Sequence, residues 1–194
     1  MSEIEQTMAD ASRFRLKKTV ALVGMMGAGK TAVGRAVAAK LGVPFLDSDA
    51  EIEAAANQTV PEIFERDGEP FFRARETEII KRLLETQAGI LSTGGGAYLS
   101  QVNRENITRQ GVALWLDADL SLLWSRVKHR DTRPLLRTAD PLATLTEIYE
   151  TRTPIYALSD LSVRCVPDTS IEAMADRVID VLLTRADVLE RNDA

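Results

Sequence analysis

The chain has 194 residues, of which 45% are apolar and 27% charged, and it carries a formal net charge of −5 at pH 7. That is one domain's worth of chain, able to bury roughly 70% of the surface it exposes when unfolded, and no stretch approaches the ~20 apolar residues that cross a bilayer. The negative balance argues against general nucleic-acid binding, and the single Cys165 cannot close an internal disulfide, so the expectation is a cytoplasmic protein that binds neither nucleic acid nor membrane.

The opening residues, 1–17, are polar and lack the apolar centre of a secretory signal. They are expected to form a flexible extension, which leaves 18–190 as the domain. From there β-branched runs alternate with helical patterns: "TVALVG", a helix from about Lys30 to Leu41, "PFLDSD", helical segments to about Glu85, then "GILSTGGG". The rhythm continues through a helix near Gln101 to Arg109, "VALWLD", helices over about 120–128 and 141–158, "LSVRCV", and a last helix from about Ile171. Strands separated by helices imply an α/β fold in which a five-stranded parallel sheet is flanked by helices on both faces, with ligands gathered at the carboxyl ends of the strands. The charged insert over 130–140, which contains Pro134, is the place for a mobile lid.

Gly24, Gly29, Lys30 and Thr31 match G-x-x-x-x-G-K-[ST] between a strand and a helix. Glycine lets the backbone curl so that successive N–H groups face phosphate oxygens, and the helix N-terminus adds partial positive charge. The run Gly27, Ala28, Gly29, Lys30, Thr31 and Ala32 is therefore expected to bind ATP, Lys30 reaching the outer phosphates and the Thr31 hydroxyl holding Mg²⁺.

Asp47 and Asp49 leave the next strand on one side of an extended chain. Two carboxylates there suit water held on Mg²⁺ and a hydrogen bond from an attacking hydroxyl, while Asp49 or Ser48 equally reads as the cap of the following helix. In "FFRARE", Glu76 lies three residues after Arg73 and can steady it for a carboxylate ligand; taken alone, the pair also reads as a solvated helix face. Gly94, Gly95 and Gly96 close an apolar strand where a ligand could approach the backbone, or simply form a flexible turn. His129 reads as a helix-end surface residue, Trp115 and Trp124 as packing, Cys165 as a buried thiol, and no zinc set is apparent.

In this order, "GMMGAGKT", "DSD", "FR" with Glu76, "GGG", "RPLL" and "TRTPIY" resemble the shikimate kinases, adenylate-kinase-like P-loop enzymes. The resemblance covers about 20–180 and implies transfer of the γ-phosphoryl of ATP to the 3-hydroxyl of shikimate, in aromatic amino acid biosynthesis, by a monomer. It implies that Asp47 holds a water on Mg²⁺, that Asp49 binds shikimate hydroxyls and orients the attacking oxygen, and that Arg73 and Arg152 clamp the carboxylate. Gly95 and Gly96 would offer backbone to the substrate, Arg133 would swing toward the transferring phosphate, and Arg130 and Pro167, with Val166, would lie against adenine. Phe64, Phe72, Pro134 and Leu135 match apolar positions of the shikimate pocket. The alternatives are a gluconate-type or nucleoside-monophosphate kinase on the same fold, and a non-catalytic nucleotide switch. A switch would leave the aspartates and the two arginines without a task.

Overall fold

The computed structural model describes residues 13–129 and 134–192. In chain order its elements begin with β1 (Phe14–Leu16), β2 (Thr19–Val23), α1 (Lys30–Leu41), β3 (Phe45–Asp47), α2 (Ser48–Ala56), α3 (Val60–Glu85) and β4 (Ile90–Ser92). They continue with a 3₁₀ turn (Ala97–Leu99), α4 (Gln101–Gln110), β5 (Gly111–Asp117), α5 (Leu120–Val127), a second 3₁₀ turn (Pro134–Leu136), α6 (Pro141–Tyr156), β6 (Leu161–Arg164), α7 (Ile171–Leu182) and β7 (Leu189–Arg191).

Five strands pair in the order β3-β4-β2-β5-β6, all parallel. β2 lies at the centre and is buried at every position, as a strand covered on both faces must be. From β2 the chain crosses by α1 to β3 at one edge, then returns through β4 and moves to β5 and β6 at the other. Right-handed crossovers in opposite directions place helices on opposite faces of one sheet. α7 comes back beside α1, where Lys40 Nζ and Asp176 Oδ1 are 2.6 Å apart. The reversal of direction occurs at the carboxyl end of β2, which is where the phosphate-binding sequence sits.

Two local features set the site's geometry. α3 starts on a capping box, with Thr59 and Glu62 satisfying each other's backbone N–H groups, and breaks at Gly68, whose φ of 84° and ψ of 168° only glycine adopts freely. Pro70 follows the break and opens the second segment, so Arg73 and Glu76 occupy the beginning of a new helix rather than the middle of a long one.

Strand pairing reaches beyond residues 18 and 190 on both sides. β1 and β7 form an antiparallel pair, Phe14 opposite Arg191 and Leu16 opposite Leu189, and Lys18 Nζ meets Asp187 Oδ2 at 2.8 Å. Short polar-apolar runs such as these carry no distinct periodicity, and they become strands through a partner about 170 residues away.

Candidate active site

Hydrophobic β2 delivers the chain at Gly24, whose φ is 139°. A Cβ there would stand 2.9 Å from the Leu116 carbonyl and 3.3 Å from the Trp115 ring, so the loop can leave the sheet only with glycine at this point. Gly27 and Gly29 also have positive φ, and the curl they permit ends in α1. Lys30 Nζ donates to the carbonyls of Gly24 and Met25 at 2.8 and 3.0 Å, folded over the loop where phosphate oxygens would replace them. The Thr31 and Ser92 hydroxyls are 3.3 Å apart.

From α5, Arg126 Nη1 donates to the carbonyls of Gly27 and Ala28 at 3.1 and 3.3 Å. The sequence reading missed it. An arginine in an ordinary amphipathic helix, 97 residues beyond Gly29, carries no local mark that it will meet the phosphate loop.

The helix cap is Asp47, not Asp49 or Ser48 as considered above. Asp47 Oδ1 accepts from the N–H groups of Asp49 and Ala50 at 3.1 and 3.2 Å, and strand β3 ends one residue too early for Ser48 to take that place. Capping releases Asp49 to face the cleft. Its Oδ1 is buried without a hydrogen-bond partner among the described residues, and burial above all, then the charge of Asp47, holds its carboxyl above the ordinary range, against the pull of Lys30.

Across Gly94 lies Glu76, fully buried. A Cβ on Gly94 would lie 2.8 Å from Asp49 Oδ1 and 3.2 Å from Glu76 Oε1, so the missing side chain is what lets both carboxylates approach the strand end. Glu76 Oε2 accepts from Arg73 Nη1 at 2.8 Å, and Arg73 Nε reaches Glu69 Oε1 at 3.3 Å. Burial pushes the Glu76 carboxyl up while Arg73 opposes it. The Arg73 guanidinium packs on Gly96, and Arg152 Nη1 lies 3.8 Å from where a Gly95 Cβ would be. Two arginines from α3 and α6 thus meet the glycine triplet together.

One cleft of about 460 Å³ runs from the phosphate loop to Gly94 and Gly95 of the triplet, and neither Arg73 nor Arg152 is part of its lining. Gly27 to Val33, Asp47, Asp49, Ser92 and Gly95 line it, and Cys165, Thr169, Ile171 and Met174 form its wall beyond the phosphate loop. Pro167 and Val166 are exposed and stand outside that lining, so the wall on that side is built from their neighbours. Phe64 and Phe72 pack with ring centroids 4.6 Å apart, whereas Leu135 is exposed. Arg130, Arg133 and the side chain of Pro134 lie outside what the structure describes.

The oxygen donors suit a hard cation. Thr31 and Ser92 hydroxyls and the Asp47 and Asp49 carboxylates share the cleft, yet no group of three or more His, Cys, Asp or Glu residues able to hold a metal occurs among the described residues. Such a set fits Mg²⁺ that arrives on nucleotide phosphates and keeps much of its water, not a resident metal caged by protein.

The shikimate kinase family model matches residues 26–183. A shikimate kinase of Ruegeria pomeroyi is 63% identical over 98% of this chain and 99% of its own, and one of Cereibacter sphaeroides is 58% identical over 92% and 89%. The structure of shikimate kinase from Acinetobacter baumannii in complex with shikimate superposes with a TM-score of 0.82 at 34% identity, covering 93% of this chain and 98% of that one. A relationship this extensive includes both the phosphate loop and the paired arginines, and the protein belongs to the shikimate kinase family.

Proposed function

We propose that the protein transfers the γ-phosphoryl group of ATP to the 3-hydroxyl of shikimate, giving shikimate 3-phosphate and ADP in aromatic amino acid biosynthesis. The observation that carries this reading is the meeting of Arg73 and Arg152 at the glycine triplet, whose Gly94 and Gly95 line the cleft that also holds the phosphate loop. A nucleotide acceptor would instead need a second base pocket, and a switch would have no use for the two cations.

The P–O bond to the β-phosphate breaks as the shikimate oxygen bonds to phosphorus, through a loose transition state whose charge sits on three equatorial oxygens. Catalysis is then positioning and electrostatics. Backbone N–H groups of the loop and Lys30 hold the phosphates, the two guanidinium groups hold the carboxylate, and Asp49 orients the attacking hydroxyl and accepts its proton as the bond forms. Mg²⁺, held by Thr31 and through water by Asp47, would neutralise phosphate charge. Arg126 and the wall from Cys165 to Met174 would flank the nucleoside, and Arg133 would bring a further positive charge to the γ-phosphate, with Arg130 beside the nucleotide. The protein would work as a cytoplasmic monomer; among the described residues, no helix is long and apolar enough to cross a membrane.

Incubation with Mg·ATP and shikimate should yield shikimate 3-phosphate by phosphorus NMR, with ADP release stimulated by shikimate but not by gluconate or nucleoside monophosphates. ATP binding without turnover of any of these acceptors would refute the reading.

A further inference from the structure

The glycine triplet supplies backbone to the substrate, yet three glycines in a row are the least constrained backbone a chain offers. Something must hold them. Tyr156, the last residue of α6, is buried, and its hydroxyl donates to the Gly95 carbonyl at 2.5 Å. The Arg152 guanidinium, one turn earlier on the same helix, lies beside Gly95 as well, its positive charge acting on the same phenol. The ring is fixed in turn against Trp115 of β5, centroids 6.5 Å apart and planes 30° from parallel, and Trp115 is the residue on which Gly24 packs.

We infer that Tyr156 is a positioning residue for the acid substrate, its hydroxyl joining the carboxylate-gripping Arg152 to the Gly95–Gly96 peptide. The phenol has one hydrogen, which goes to the Gly95 carbonyl; its lone pairs remain for Arg152. Because the Gly95 carbonyl and the Gly96 N–H share one planar peptide, fixing the first fixes the direction of the second, next to Gly95 on the cleft wall. Arg152 could otherwise adopt many rotamers, and attraction to the phenol oxygen favours the one that lies beside Gly95. Burial holds the phenol above its ordinary pKa, so it remains a donor throughout the working range. This role deepens the proposed reaction and rests on it.

Shikimate-dependent ADP release by the unaltered protein is measured first, since its absence would end the parent reading whatever Tyr156 does. Tyr156→Phe then removes the hydroxyl and keeps the ring on Trp115. The expected result is a rise in KM for shikimate on the order of tenfold, the size of one lost hydrogen bond to a charged group, with KM for ATP changed less than about twofold. In the double variant with Arg152→Ala, the two effects on shikimate should fall well short of multiplying, because one acts through the other. Equal changes in both KM values, fully multiplicative effects, or loss of ATP binding by Tyr156→Phe would each assign the hydroxyl to general packing and overturn the inference.

Discussion

Arg73 and Glu76 bridge at 2.8 Å across one turn of α3 while differing sharply in exposure, the glutamate side chain 1% accessible and the arginine 32%. The buried partner aims the accessible one. The glutamate meets no other described hydrogen-bond donor through Oε1, so its ionised form depends on Arg73, and the arginine's free edge faces Gly96.

Glu76→Ala should therefore act on the acid substrate. KM for shikimate is expected to rise about 10- to 100-fold, as for a charge-assisted pair removed at a partly solvated site, with KM for ATP nearly unchanged. Steady-state kinetics with each substrate varied in turn provide the check.

Asp49 gives a pH signature. Its folded carboxyl titrates above the ordinary value because of burial and Asp47, so the folded state takes up a proton that the unfolded chain releases. That contribution to stability is present in full below the unfolded pKa of about 4 and is lost as pH rises through the higher folded value. Compared with the unaltered protein, Asp49→Asn should gain in Tm as pH climbs above about 4, with the difference smallest in acid, while kcat falls at least about 100-fold. Thermal melts across pH, beside turnover at neutral pH, test both halves.

Gly96→Ala isolates a close approach. With φ of −92° and ψ of −10° the backbone suits alanine, but its Cβ would stand 2.8 Å from Arg73 Cζ and Nη1. The flexible arginine should give way, so Tm is expected to change by less than about 3 °C while shikimate binding weakens severalfold. A large loss of Tm would show that the strand end, not the arginine, yields.

Arg126→Ala should raise KM for ATP by roughly tenfold and leave shikimate unaffected, since Arg126 bonds the carbonyls of Gly27 and Ala28 and lines the nucleotide end of the cleft. Nucleotide titration followed by tryptophan fluorescence measures it.

Arg133→Ala should act on the chemical step, lowering kcat on the order of 10³-fold if its charge meets the transferring phosphate, with both KM values little altered. An unchanged kcat removes Arg133 from the reaction.

What the sequence determined alone is what neighbouring residues encode. The strand-loop-helix spacing around Gly24, Gly29, Lys30 and Thr31 sets a phosphate bed by itself, because the hydrogen-bond donors and the lysine belong to one turn of chain. The alternation of β-branched runs and helices likewise fixed the parallel sheet, since each crossover is built from contiguous residues. Arg73 with Glu76 was legible as a helical pair, though not the burial that gives it force. Only the tertiary structure decided that Asp47 caps α2 and leaves Asp49 for the cleft, that Arg126 reaches the phosphate loop, that the Tyr156 hydroxyl donates to the Gly95 carbonyl, and that β1 finds β7. Each of the last three joins residues at least 60 positions apart. No local pattern records such a meeting, which follows from where the crossovers deliver each helix end. The cap at Asp47 turned on where β3 stops, a boundary that pairing with β4 sets.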